Sequence, residues 1–131
     1  MTRQEIAEAY RAYIDCLNRQ DWNKLGQFVH DEAVHNGRLI GLSGYRAMLE
    51  NDYDTIPDLH FTIDLMICEP PYVSCRLLFD CHPKASFMGL PINGGRAVFS
   101  ENVIYEFLDG KIKNVHSLID KASLEAQFSK P

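Results

Sequence analysis

The spacing of hydrophobic residues changes period once along the chain. Thr2 and Glu5 form a capping box, and Ile6, Tyr10, Tyr13, Ile14 and Leu17 then recur at helical spacing, which predicts a first helix ending near Arg19. Asp21 is placed to cap a second, shorter helix through Leu25, Phe28 and Val29. Ala33, Val34 and the Asn36-Gly37 pair predict a short strand and a turn, and Ser43 is placed to cap a third helix over about residues 44–53 that Pro57 prevents from continuing. From His60 onward the period is two. Phe61, Ile63, Leu65 and Ile67 alternate with polar neighbours, and so do Val73, Cys75, Leu77, Phe79 and Cys81. Two more strands are predicted over residues 98–108 and 111–119, with turns at Pro70-Pro71, at Pro91 with Gly94-Gly95, and at Asp109-Gly110. Helices first and strands after is an α+β pattern with an antiparallel sheet. A strongly curved sheet wrapped over the three N-terminal helices would enclose a pocket.

At 131 residues the chain is expected to form one domain over 1–131, since it is too short for a second core. Its 46% hydrophobic and 24% charged composition fits an ordinary soluble globular protein. The net charge is -5 and the 13 Lys and Arg residues are scattered singly, so no basic stripe exists to neutralise a phosphate backbone, and no nucleic-acid partner is expected. The N-terminal TRQEIAEAYRAYIDCL is charged and amphipathic, unlike a signal peptide or membrane anchor, so no membrane partner is expected either. Cys16, Cys68, Cys75 and Cys81 lack metal-site and disulfide-scaffold spacing, which points to reduced thiols packed as small hydrophobes and to a cytoplasmic location.

Candidate chemistry lies mainly in the strands. In DGKIKNVHSLID, uninterrupted alternation from Ile112 puts Asn114, His116, Leu118 and Asp120 on one face, where a carboxylate and an imidazole could serve proton transfer in a dry pocket. Asp120 also precedes KASLEAQF, so its side chain could simply cap a last helix. Arg76, Asp80 and His82 share the polar face of another strand, which either meets water or lines a cavity where Asp80 orients the His82 ring. Tyr13 could offer a phenol to an oxyanion or be core, and Asn36 could contact a ligand or make the Asn-Gly turn. His30 and His35 are not at HExxH spacing, and no glycine-rich phosphate cradle or GxSxG elbow occurs, so neither a metal nor a nucleotide cofactor nor a serine nucleophile is expected.

The ordered segments AVHN at 33–36, GLSGYRAML at 41–49, IPDLHFTID at 56–64, a strand ending in His82, FMGLPINGGR at 87–96 and DGKI through Asp120 resemble the SnoaL-like polyketide cyclase (ester cyclase) family of the NTF2-like superfamily. The resemblance implies a cone of curved antiparallel sheet over three helices, and cofactor-independent aldol-type ring closure or a related proton transfer next to a carbonyl. It places the acid/base aspartate at Asp120, the cavity histidine at His82, its polar neighbour at Asp80 and the family asparagine at Asn36. His116 stands where many relatives carry tryptophan, and Asp80 replaces an uncharged residue. The expected partner is a small, largely apolar, carbonyl-containing substrate, with Asp120 and His82 catalytic and Asp80, His116, Asn36 and Tyr13 binding. The alternative is a non-catalytic pocket for a small hydrophobic ligand. Apolar residues on both faces of 98–108 predict that the outer sheet face is covered in a homodimer.

Overall fold

The computed structural model describes residues 1–128. Helix α1, Arg3–Arg19, begins at the expected capping box: the Glu5 N–H donates to Thr2 Oγ1 at 3.0 Å and the Thr2 N–H to Glu5 Oε1 at 2.7 Å. It ends at Gln20, whose φ of 53° is the left-handed closure of a helix terminus. The expected second helix is a single 3₁₀ segment, Trp22–Gln27, and Val29 belongs to strand β1, Val29–His35. With one buried apolar residue in its six, Leu25, the segment WNKLGQ has no stripe that would carry it further. Strand β2, Arg38–Leu39, follows the Asn36-Gly37 turn. Helix α2, Gly41–Thr55, starts earlier than predicted. Its cap is Ile40, which supplies no side-chain hydrogen bond, and Ser43 lies inside the first turn.

Strands β3 (Thr62–Glu69), β4 (Tyr72–Cys81), β5 (Ala97–Leu108) and β6 (Lys111–Ile119) follow, and helix α3 (Lys121–Phe128) ends the described chain. One curved sheet in the order β2-β1-β6-β5-β4-β3 carries all six strands. It is antiparallel except where β1 runs parallel to β6, a pairing that the long connection through α2 and four strands makes possible. α1 lays Ile6, Tyr10, Tyr13, Ile14 and Leu17 against the inner sheet face, which presents Val73, Cys75, Leu77 and Phe79 from β4 and Phe99, Val103, Tyr105 and Phe107 from β5. Cys16, Cys75 and Cys81 are buried free thiols. No described helix is long and apolar enough to cross a membrane.

Two β-bulges decide which side chains face the interior. β5 and β6 pair Glu106 with Asn114 but Phe107 with Ile112, so Lys113 is an extra residue and the alternation on β6 reverses there. Ile112 and Val115 both point inward, 0% and 3% exposed, whereas Leu118 is 73% exposed. β3 has the same irregularity between Ile63 and Leu65. Ile63, Met66 and Cys68 pack on the core, while Leu65 and Ile67, expected on the same face as Ile63, stand on the outer surface.

Candidate active site

A cavity of about 470 Å³ lies between the helices and the inner sheet face. α2 contributes Asp52 to its wall because Tyr45, Leu49 and Asp52 fall at helical spacing on the buried side of that helix. β5 contributes Glu101, which alternates inward between Phe99 and Val103. Phenols from Tyr13, Tyr45 and Tyr105 line the same space, with His35 from β1 and Ser117 from β6.

Two carboxyl groups in so apolar an enclosure cannot both hold their charge cheaply. Burial, and then the charge of Glu101, push the Asp52 carboxyl from its ordinary 3.8 up to about 7. Burial also raises Glu101, opposed by the hydrogen bond that the Ser117 hydroxyl donates to Glu101 Oε2. Asp52 is therefore partly protonated near neutral pH, while the Ser117 hydrogen bond favours the ionised form of Glu101. Burial raises Tyr13, Tyr45 and Tyr105, so each remains a neutral hydroxyl donor. Burial and the neighbouring His116 lower His35, which keeps that imidazole neutral.

The hydroxyls of Tyr13 and Tyr45 lie 2.6 Å apart. Ser117 is held from behind by Asn36. The Ser117 N–H donates to Asn36 Oδ1 at 2.8 Å, and Asn36 Nδ2 donates to the Ser117 carbonyl at 3.2 Å. Asn36 adopts φ 47°, so it makes the Asn-Gly turn and borders the cavity at once.

Of the six residues singled out from sequence, the structure brings Tyr13 and Asn36 to this cavity and leaves the other four outside it. Asp120 is exposed and accepts the Ser123 N–H at Oδ1, 3.0 Å, as the cap of α3. It sits between Ile119 and Lys121, which do line the cavity, but is not itself among the described lining residues. His82 is exposed and held by Asp58, whose Oδ2 lies 2.8 Å from His82 Nδ1. Asp80 is on the same outer face, in a paired hydrogen bond with Arg96 at 2.9 and 2.7 Å. His116 is turned outward by the bulge at Lys113 and lines an outer-face groove of about 400 Å³ with Leu65, Ile67 and Leu118. The polar face of β4 thus meets water. Among the described residues no group of three or more His, Cys, Asp or Glu side chains is placed to hold a metal ion.

Asp52, Glu101, His35 and Ser117 were not legible as site residues, although a signal existed for the two acids. Asp52 continues the Tyr45–Leu49 stripe, and Glu101 interrupts the run Phe99, Val103, Tyr105, Phe107. A carboxylate inside an otherwise apolar face is costly unless it has a role or a partner.

This chain belongs to the SnoaL-like polyketide cyclase family, whose model matches residues 7–128. It is 45% identical to a SnoaL-like polyketide cyclase from Agrobacterium tumefaciens str. C58, with a TM-score of 0.94 over 98% of this chain and 100% of that one. TsrD from Streptomyces laurentii is 22% identical with a TM-score of 0.85, covering 98% of each chain, and AclR from Streptomyces galilaeus is 19% identical with a TM-score of 0.79, covering 97% of each. These two likenesses concern the fold, which is NTF2-like. No curated protein matches the chain.

Proposed function

We propose that the protein is a cofactor-independent acid/base enzyme that moves a proton next to a carbonyl in a small, largely apolar substrate, as in aldol-type ring closure. The observation that carries this reading is the Asp52–Glu101 pair on the wall of an apolar cavity, where burial raises both carboxyls, Asp52 to about 7, and the Ser117 hydroxyl opposes the rise at Glu101. Glu101 takes the proton from the carbon next to the carbonyl, and the electron pair of that C–H bond passes into an enolate. Of the Tyr13 and Tyr45 hydroxyls, the one whose proton is not given to its partner would donate to the enolate oxygen. When the enolate carbon attacks a second carbonyl, a C–C bond forms and the new alkoxide takes its proton from Asp52. Transfer of the proton from Glu101 back to Asp52 restores the starting state. No chemical step is assigned to Asp120 or His82, because both side chains have other partners outside the cavity.

The test is deuterium uptake from D₂O at the carbon next to the carbonyl of methyl 2-alkyl-3-oxobutanoates, followed by NMR. Catalysis above the buffer rate that falls on the order of a hundredfold in Glu101→Gln, the variant that lacks the base, supports the reading. Uptake at the buffer rate overturns it.

The engagement of Asp120 as a helix cap favours a second reading, a pocket that binds a small hydrophobic ligand without chemistry. That reading predicts saturable binding of the same esters with no exchange. A homodimer through the outer sheet face is proposed in either case, supported by the exposure of Leu65, Ile67, Ile104 and Leu118 on one surface.

A further inference from the structure

A second, smaller chamber of about 80 Å³ adjoins the main cavity and shares Asp52, Phe61, Glu101 and Ile119 with it. Its remaining walls are apolar, built largely from Phe79, Phe87 and Phe99. The rings run on from one another: Phe61 to Phe79 at 5.3 Å between centroids, Phe79 to Phe99 at 5.1 Å and Phe87 to Phe99 at 5.5 Å. The acid pair therefore stands at the junction of two unlike spaces. On one side are hydroxyls and an imidazole that could hold oxygen atoms; on the other, the carboxyls are the only polar groups among the described residues.

We propose that the phenylalanine chamber is a substrate subsite for a short alkyl group carried on the carbon that loses its proton. This rests on the acid/base reading above. A polar substituent placed there would meet only the two carboxyls and lose its other hydrogen bonds to water. The chamber is smaller than the roughly 150 Å³ cavity that accommodates benzene in a protein core, so it selects a short chain over a ring. The substrate class that follows is a carbonyl compound with its oxygen on the phenol side, its acidic carbon at the Asp52–Glu101 pair and a short unbranched alkyl arm among the phenylalanines.

The test uses methyl 2-alkyl-3-oxobutanoates with methyl, ethyl, propyl, butyl and benzyl arms, titrated calorimetrically into the full chain, with deuterium uptake measured in parallel. Affinity should rise about fourfold for each added methylene until the chamber is full and then stop rising, with the benzyl ester binding no better than the methyl ester. Leu59→Phe narrows the chamber from a residue that lines it alone and should move the break to a shorter arm, leaving the methyl ester within about twofold. Ile56→Phe does the same from α2's C-terminal cap and stands in should Leu59→Phe lose its cooperative thermal transition. Affinity independent of arm length, or a break that stays in place in a folded narrowing variant, overturns the subsite. A length-dependent affinity without deuterium uptake retains the subsite and overturns only the catalytic reading.

Discussion

Replacing Asp52 by asparagine tests the electrostatics of the cavity without reference to any substrate. The amide keeps the shape of the carboxyl and removes its titration. In the folded protein Asp52 is raised from 3.8 to about 7, chiefly by burial and then by Glu101. A group whose folded value is raised binds its proton more tightly folded than unfolded, so the stability it contributes is complete below about pH 4 and is lost as pH rises through about 7. At 1.36 kcal/mol for each pH unit between those values, the loss reaches about 4 kcal/mol as an upper bound, since Asp52 keeps some contact with water. Asp52→Asn has no such loss. Its unfolding free energy from urea titration should match the parent near pH 4 and exceed it increasingly toward pH 8, by up to about 4 kcal/mol. Glu101 contributes in the same direction, because it no longer faces a second charge once residue 52 is neutral. The comparison has a clear failing outcome: stability curves of parent and variant that run parallel from pH 4 to 8 would mean that Asp52 is solvated and that the acid pair carries no stored repulsion.

Three further outcomes separate the roles of neighbouring residues. Asn36→Gly keeps the positive φ of the turn but removes the clamp on Ser117; its pH–rate profile for deuterium uptake should shift upward as Glu101 loses a fixed hydrogen-bond donor, and an unmoved profile refutes the positioning role. Asp120→Ala should cost about 1 kcal/mol in urea unfolding while Asp120→Asn, also a capping residue, restores most of it, and in both variants uptake should stay within a few-fold of the parent; a hundredfold loss in Asp120→Asn would return the catalytic role to that residue. Leu118→Lys should convert a dimer to a monomer in light scattering at micromolar concentration, and a parent protein that is already monomeric there refutes the proposed outer-face contact.

The elements that could be read from the chain were those whose signals are local. The capping box at Thr2 and Glu5, the stripe from Ile6 to Leu17, the alternation of β4 and the Asp109-Gly110 turn each lie within a few residues and need no partner to be recognised. The boundaries that moved, at Val29 and Ser43, lacked such signals: a six-residue 3₁₀ segment has too few periodic positions to fix its end, and α2 begins on an Ile40 carbonyl without a side-chain cap.

The acid pair is a different case. Asp52 sits in its helical stripe and Glu101 in its strand alternation, so each was individually legible as a carboxyl on an apolar face, but only the tertiary fold brings α2 and β5 to one cavity.

By itself, then, the sequence determined the two long N-terminal helices, the four long strands, their order and the family, because periodicity, caps and turns are written in neighbouring residues. Only the tertiary structure decided which acid faces the cavity. The bulge at Lys113 arises from pairing β6 with β5, and by reversing the alternation it puts Val115 and Ser117 inside and His116 and Leu118 outside. An extra residue in a strand is defined by its partner, and the partner is chosen only when the sheet assembles.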